Sequence, residues 1–198
     1  MVFILFVKLV DAKRAKLEAS FEDYGKYLKS LEMKGTVKCF EPIYEARIAQ
    51  LSNKSNQFNL TTRRYTKNEI EEISGDEEYI TLYGKLEDKL GDNGVVSVVI
   101  GHIEDGSAID SDKIEDNIKV CDIDLWIMSC RVLKRDMEYA MMDTLVHRAG
   151  EKNISKLVGH YYPTAKNKMV REFYKDMGFE KISEDDEGNT LWQLDISQ

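Results

Sequence analysis

An α/β fold with a mixed central sheet and helices on both faces is what this 198-residue sequence predicts, from three observations. Two β-rich runs, residues 79–86 and 95–103, flank Gly91-Asp92-Asn93-Gly94, a strong turn signal, and so form an antiparallel hairpin. A third run, 121–130, carries Ile123, Leu125, Ile127 and Ser129 in alternation on one face. Strand and helix then alternate to the end of the chain, which brings at least one strand into the sheet through a parallel crossover.

The elements follow in order. Residues 1–10 are apolar but contain Lys8, lack a basic leader and a small-residue cleavage site, and are too short to span a bilayer. They read as a strand or docking segment. Residues 11–33 read as one helix with Leu17, Phe21, Tyr24 and Leu28 on a face, stopped by Gly35. A strand over 36–40 precedes a helix opened by Pro42, with Ile43, Ala46 and Leu51 on its apolar side. The stretch 52–66 is polar, and Thr66 with Glu69 makes a capping box for a short helix ending near Gly75. After the hairpin and a charged loop over 104–119 comes the third strand. Arg135 or Asp136 then starts a helix with Met137, Ala140, Met141, Thr144 and Leu145 on one side, ending at Gly150. A strand over 156–162, a helix over 167–177 stopped by Gly178, an acidic turn and a strand over 190–196 close the chain.

Composition narrows the function. A formal charge of −8 argues against nucleic acid and anionic membranes as partners, so any phosphate site is local. Cys39, Cys121 and Cys130 make neither a disulfide framework nor a zinc pattern, which points to a reducing, cytoplasmic setting. His102, His147 and His160 show no metal spacing, and no metal is expected. His160 is a candidate base, and Glu104, Asp105, Asp122 and Asp124 are candidate carboxylates, Asp124 foremost because it lies within the alternating strand.

Two sets of residues carry a family resemblance. The run from Asn167 to Phe179 places Asn167, Tyr174, Gly178 and Phe179 as the later part of the GNAT acyltransferase fold does, and the element order also resembles that fold. The GNAT resemblance implies acetyl-CoA or another acyl-CoA as donor. It also implies a loop of the form Arg-x-x-Gly-x-Gly or Ala, whose amides and following helix end hold the pyrophosphate. Here that loop reads Arg131-Val132-Leu133-Lys134-Arg135-Asp136, without its glycines and with a carboxylate added, while Lys134 and Arg135 can hold phosphate by their side chains. By the same resemblance Asn167 and Arg131 contact the cofactor, and Tyr174 lies at the thioester sulfur.

More narrowly, Asn53-Lys54-Ser55-Asn56-Gln57-Phe58-Asn59-Leu60-Thr61-Thr62-Arg63-Arg64-Tyr65 resembles the signature of FkbH-like proteins, as do Asp92-Asn93-Gly94, Ser129-Cys130-Arg131 and Pro163-Thr164-Ala165-Lys166-Asn167. In those proteins a haloacid dehalogenase-type (HAD) phosphatase domain precedes a GNAT-like domain. The resemblance implies an extension over residues 1–34, a GNAT-like domain over 35–198, and an acyl carrier protein or a separate HAD phosphatase as partner. A phosphopantetheine thioester is then an alternative donor. No Asp-x-Asp-x-Thr motif occurs, so aspartyl-phosphate chemistry is absent.

Asn53, Asn56, Gln57, Asn59, Thr61, Thr62 and Arg63, with Asp92, are the candidate substrate-binding residues: the run packs amides, hydroxyls and cations into a segment without periodicity. The alternative is a loop that satisfies its own backbone. Cys130 ends a strand beside Arg131 and a helix start, where a thiolate is favoured, although a buried inert cysteine is the plainer reading. Two functions follow. One is an acyltransferase, with Tyr174 protonating the leaving thiolate, and the other a non-catalytic module that docks a carrier protein or phosphatase.

Overall fold

The computed structural model describes residues 2–106 and 118–197. Its sheet runs in the order β1 (Lys34–Lys38), β3 (Tyr79–Asp88), β4 (Gly91–Asp105), β5 (Lys119–Met128), β6 (Ile154–Tyr161), β8 (Thr190–Asp195) and β7 (Glu180–Glu184), with β2 (Phe58–Asn59) paired to β5 off this path. All pairs are antiparallel except β5 with β6. The helix between those two, α5 (Met137–Glu151), is the expected crossover. It buries Met137, Met141 and Leu145, while Ala140 and Thr144 are half-buried.

Each sheet face has its own core. On one side Trp126, Met128, Met141, Leu145, Phe173 and Tyr174 pack together, and on the other Ile48, Leu51, Ile70, Tyr83, Leu125 and Ile127 pack beneath α3 (Pro42–Lys54) and α4 (Lys67–Ser74). The capping box at α4 forms as expected, with the Glu69 amide donating to the Thr66 hydroxyl and the Glu69 carboxylate accepting from the Thr66 amide.

Several expectations are corrected. The apolar opening run is not a strand but the start of α1 (Val2–Glu18), because nothing breaks the helix that the Ala- and Lys-rich residues 12–18 favour. That helix does not run to residue 33. It ends before Asp23, whose carboxylate caps a separate α2 (Tyr24–Ser30). On α3, Ile43 is 80% exposed and Ala46 is also exposed; the stripe that packs is Glu45, Ile48, Ala49, Leu51 and Ser52. The hairpin turns at Lys89 and Leu90, three residues before Asp92 and Asn93, since the Asp88 carboxylate accepts the Leu90 amide.

The expected alternation along β5 fails at Asp124. Ile100 faces Leu125 and Gly101 faces Ile123, so Asp124 is an extra residue, and Ile123 joins the opposite core from Leu125 and Ile127. The helix expected over 167–177 is two short pieces, a 3-10 turn at Lys168–Val170 and α6 (Phe173–Asp176). Most of the 104–119 loop lies outside the described residues. Among them, no helix is long and apolar enough to cross a membrane.

Gly159 on β6 has no room for a side chain, since a Cβ there would lie 2.3 Å from the Tyr174 ring. Gly159→Ala is therefore expected to lower stability by about 1–3 kcal/mol through overpacking, read as a drop in the urea midpoint. An unchanged midpoint would mean that the ring does not lie against this strand.

Candidate functional site

The site begins where two parallel strands part. Pairing of β5 with β6 stops at Ile123 opposite Gly159, although β5 continues to Met128 and β6 to Tyr161. The bulge at Asp124 re-aims β5 at this point. Its freed edge lies among buried residues and must find partners.

The chain supplies them from its own polar segment. Phe58 and Asn59 pair with Met128 and Ile127, the Leu60 amide donates to the Trp126 carbonyl (3.2 Å), and the Thr61 hydroxyl donates to the Asp124 carbonyl (2.7 Å). On the other side the Tyr162 amide donates to the Leu60 carbonyl (2.9 Å), so the segment bridges both strands. Asn167 locks it: its fully buried amide nitrogen donates to the Asn59 and Tyr162 carbonyls, both at 2.9 Å. The Asn167 side-chain oxygen accepts from the amide (2.7 Å) and hydroxyl (3.0 Å) of Thr164.

Much of the polar segment satisfies itself. Asn53 donates to the Ala49 and Tyr65 carbonyls, and Asn56 accepts from Arg64 at 2.6 Å. Asn59 accepts the Thr62 amide at 2.9 Å, holding Thr62 at a φ of 61°, a conformation that β-branched residues rarely adopt. Arg63 pairs with Asp124, which also accepts from the Tyr65 hydroxyl. Gln57 is exposed. Asp92 stands apart, pairing with Lys85 and accepting the Gly94 amide.

A carboxylate and an imidazole meet where the strands part. His160 Nε2 lies 3.0 and 3.2 Å from the two Asp122 oxygens, each side chain about one quarter exposed. With Nε2–H directed to the carboxylate, Nδ1 is the basic nitrogen. Sequence reasoning weighed both residues singly but could not pair them, because parallel register is not written locally. Tyr174 is fully buried against Gly159, and its hydroxyl has no hydrogen-bond partner among the described residues. Burial, and then the Asp122 charge, push its pKa well above that of free tyrosine, so the phenol keeps its proton.

The second half of the site is the loop from β5 to α5. Lys134 and Asp136 have φ of 61° and 62°, at the two places where the resembled pyrophosphate loop carries glycine. The loop thus keeps a glycine-type backbone without glycines, at a cost of about 1–2 kcal/mol per residue. Asp136 makes no side-chain cap bond to α5. Arg131 meets no carboxylate among the described residues, whereas Arg135 reaches Asp88 (3.3 Å), a fully buried carboxylate that also holds Arg14 (2.8 Å). Cys130 is exposed, lining a groove of about 380 Å³ with Glu18, Tyr24, Tyr27, Arg131 and Lys134, so it is not an inert core residue. Cys121 is buried, and burial pushes its thiol up to about 12. No group of three His, Cys, Asp or Glu residues suited to a metal ion occurs among the described residues.

No family model matches the sequence, and comparison with curated proteins finds no match either. The fold, however, is that of GNAT acetyltransferases. Arabidopsis thaliana NAA60 in complex with acetyl-CoA superposes with a TM-score of 0.61 at 14% identity, covering 83% of this chain and 100% of that one. The ribosomal-protein-S18-alanine N-acetyltransferase of Escherichia coli gives 0.56 at 11% identity, over 83% and 96% of the two chains. The GNAT domain of S. lividans PAT gives 0.59 at 13%, over 81% and 90%.

Asn167→Ala removes the donor from the buried Asn59 carbonyl and from the part-buried Tyr162 carbonyl and should cost about 1–3 kcal/mol. Asn167→Asp should be nearly as costly, because it too lacks the amide donor. Denaturant midpoints for both variants check this, and a loss below about 0.5 kcal/mol would place the bond network outside the stabilising core.

Proposed function

We propose that the chain is a GNAT-type acyltransferase that moves an acyl group from a thioester, on coenzyme A or a carrier protein, to a small acceptor or a carrier thiol. The observation that carries this reading is the loop at Lys134 and Asp136. A backbone held at two left-handed positions despite its residue types is strain kept at a site that uses it. The free guanidinium of Arg131 at the start of the same loop, with Lys134 and Arg135, supports phosphate binding there.

The donor thioester supplies an activated carbonyl carbon. His160, held by Asp122 through Nε2, is placed to take the acceptor's proton at Nδ1. Tyr174, neutral and without a partner for its hydroxyl, is suited to give a proton to the leaving thiolate. Tyr174 is sealed against Gly159, Phe173, Phe179 and Trp192, so turnover requires this packing to open a path to its hydroxyl. Exposed Cys130 is a second candidate to receive the acyl group.

A non-catalytic module is the competing reading, and one observation favours it: the gap between β5 and β6 is filled by the chain itself, with Asn167 fully engaged in closing it. The carboxylates of Asp136 and Glu138 beside the loop add to that side. On either reading, the FkbH-like run supports an acyl carrier protein or a separate HAD phosphatase as partner, and an extension over 1–34 docked on a GNAT-like domain over 35–198. Under the catalytic reading the setting is cytoplasmic, where acyl thioesters are made.

Acetyl transfer assayed with acetyl-CoA and with acetyl-phosphopantetheinyl carrier protein separates the two readings. Transfer should fall about 10²-fold or more in His160→Gln and in Tyr174→Phe, while Asp136→Gly, which removes a charge and restores glycine, should tighten donor binding. Donor binding without transfer by the native chain would establish the docking module.

A further inference from the structure

Two buried polar atoms where β5 and β6 part have no hydrogen-bond partner among the described residues: Oδ1 of Asp122 and the hydroxyl of Tyr174. Asp122 gives its other oxygen, Oδ2, to His160 Nε2 at 3.2 Å, while Oδ1 lies 3.0 Å from the same nitrogen without a hydrogen bond to it. A buried carboxylate oxygen left without a donor is costly to the fold. Such groups occur where a charge is used to shift a neighbour's proton.

Local geometry brings the two groups to one place. Gly159 ends the pairing of β6 with β5, opposite Ile123, and Asp122 precedes that pair on β5 while His160 follows it on β6. The Tyr174 ring lies against Gly159, where a Cβ would strike Cζ, the carbon that carries the hydroxyl. Apart from burial, the charge of Asp122 acts on this hydroxyl most, ahead of the His160 backbone amide, the Cys121 thiol and the Tyr162 phenol. Burial pushes the Cys121 thiol up to about 12, and Phe173, Phe179 and Trp192, which pack around the ring, carry no charge. While His160 is neutral, a full negative charge therefore faces a phenol in an apolar interior, where charges are poorly screened, and holds the proton on it. A proton on His160 turns the carboxylate–imidazole contact into an ion pair without net charge, and the hold is lost.

We propose that Asp122 couples the base of this site to its acid: a proton arriving on His160 cancels the charge that Asp122 presents to the Tyr174 hydroxyl, and so frees the Tyr174 proton for the leaving thiolate. Asp122 touches no reacting atom and is a positioning residue for both groups. The acceptor's proton passes to His160 Nδ1 as the acceptor's electron pair joins the thioester carbon. The C–S bond breaks with its pair on sulfur, and the Tyr174 proton goes to that sulfur. Imidazolium and phenolate then flank Asp122 with the net charge unchanged, and they reset by exchanging a proton through solvent once product has left. This order of transfers rests on the acyltransferase reading, whereas the coupling is a property of the free protein.

Carbon-13 NMR of the full chain labelled at tyrosine Cζ tests the coupling without any substrate. Tyr174→Phe, which removes only an unpartnered hydroxyl, identifies the Tyr174 signal by its loss. That signal should step between about pH 5 and 8, where histidines titrate, and the step should vanish in His160→Gln. In Asp122→Asn the ionisation of Tyr174 should move to lower pH, because the charge that opposes it is gone. His160→Gln keeps the test decisive should Asp122→Asn fail to fold. No step in the native chain, a step that persists in His160→Gln, or Tyr174 ionising at the same or a higher pH in Asp122→Asn overturns the proposal. Transfer measured on the same preparations keeps the outcomes apart: coupling without transfer defeats the catalytic reading alone, and transfer without coupling defeats this inference alone.

Discussion

The divergence of β5 from β6 after Ile123 and Gly159 is the constraint on which the rest of this molecule depends. Parallel strands that part inside a protein expose backbone donors and acceptors to an apolar interior, and each must be paired. Here the pairing is supplied by residues 58–61, which hydrogen-bond to β5 on one side and to Tyr162 on the other. Asn167 then satisfies the carbonyls of Asn59 and Tyr162 with one side chain. The amides and hydroxyls of this stretch are therefore largely spent on closing the gap. Asn53, Lys54, Asn56, Gln57, Thr62, Arg63 and Arg64 are exposed, while Phe58, Asn59, Leu60 and Thr61, which fill the gap, are buried.

A second constraint acts just beyond the C-terminal end of β5. The loop to α5 holds Lys134 and Asp136 in left-handed conformations that together cost about 2–4 kcal/mol. Charge-assisted bonds at the buried Asp88, each of about 1.5–3 kcal/mol, offset this. Arg135 sits between the two strained residues and is held by that carboxylate, so the loop is fixed through its middle residue. Arg14 shares the carboxylate, and so the N-terminal helices and the loop are stabilised together.

The hairpin strands, the crossover helix with its parallel strand pair and the capping box at Thr66 are legible because each is encoded by neighbouring residues or by a single short connection. What was not legible depends on distant partners. Ile43 fits a helical stripe, but packing against Tyr83 turns α3 so that Tyr44 and Ile48 face the sheet and Ile43 faces solvent. The bulge at Asp124 leaves no trace in an alternating sequence, since its cause is the need for Asp124 to meet Arg63 and Tyr65. β2 is two residues long, and β7 is exposed along its whole length and carries no apolar period. For the site, the family resemblance pointed to Asn167, Tyr174 and the loop after Cys130. It could not show that Asn167 binds the chain's own carbonyls, or that Asp122 lies against His160.

The central claim is that the chain closes its own gap between β5 and β6, and amide hydrogen exchange at Leu60 and Tyr162 tests it most directly. These two amides lie on opposite sides of the bridging segment, donating to Trp126 and to Leu60 itself. The account predicts protection of both in the free protein close to that of the core strands, since opening them requires breaking the Asn167 network. Exchange at either amide as fast as in an exposed loop would contradict it, showing that the gap stands open before any ligand arrives.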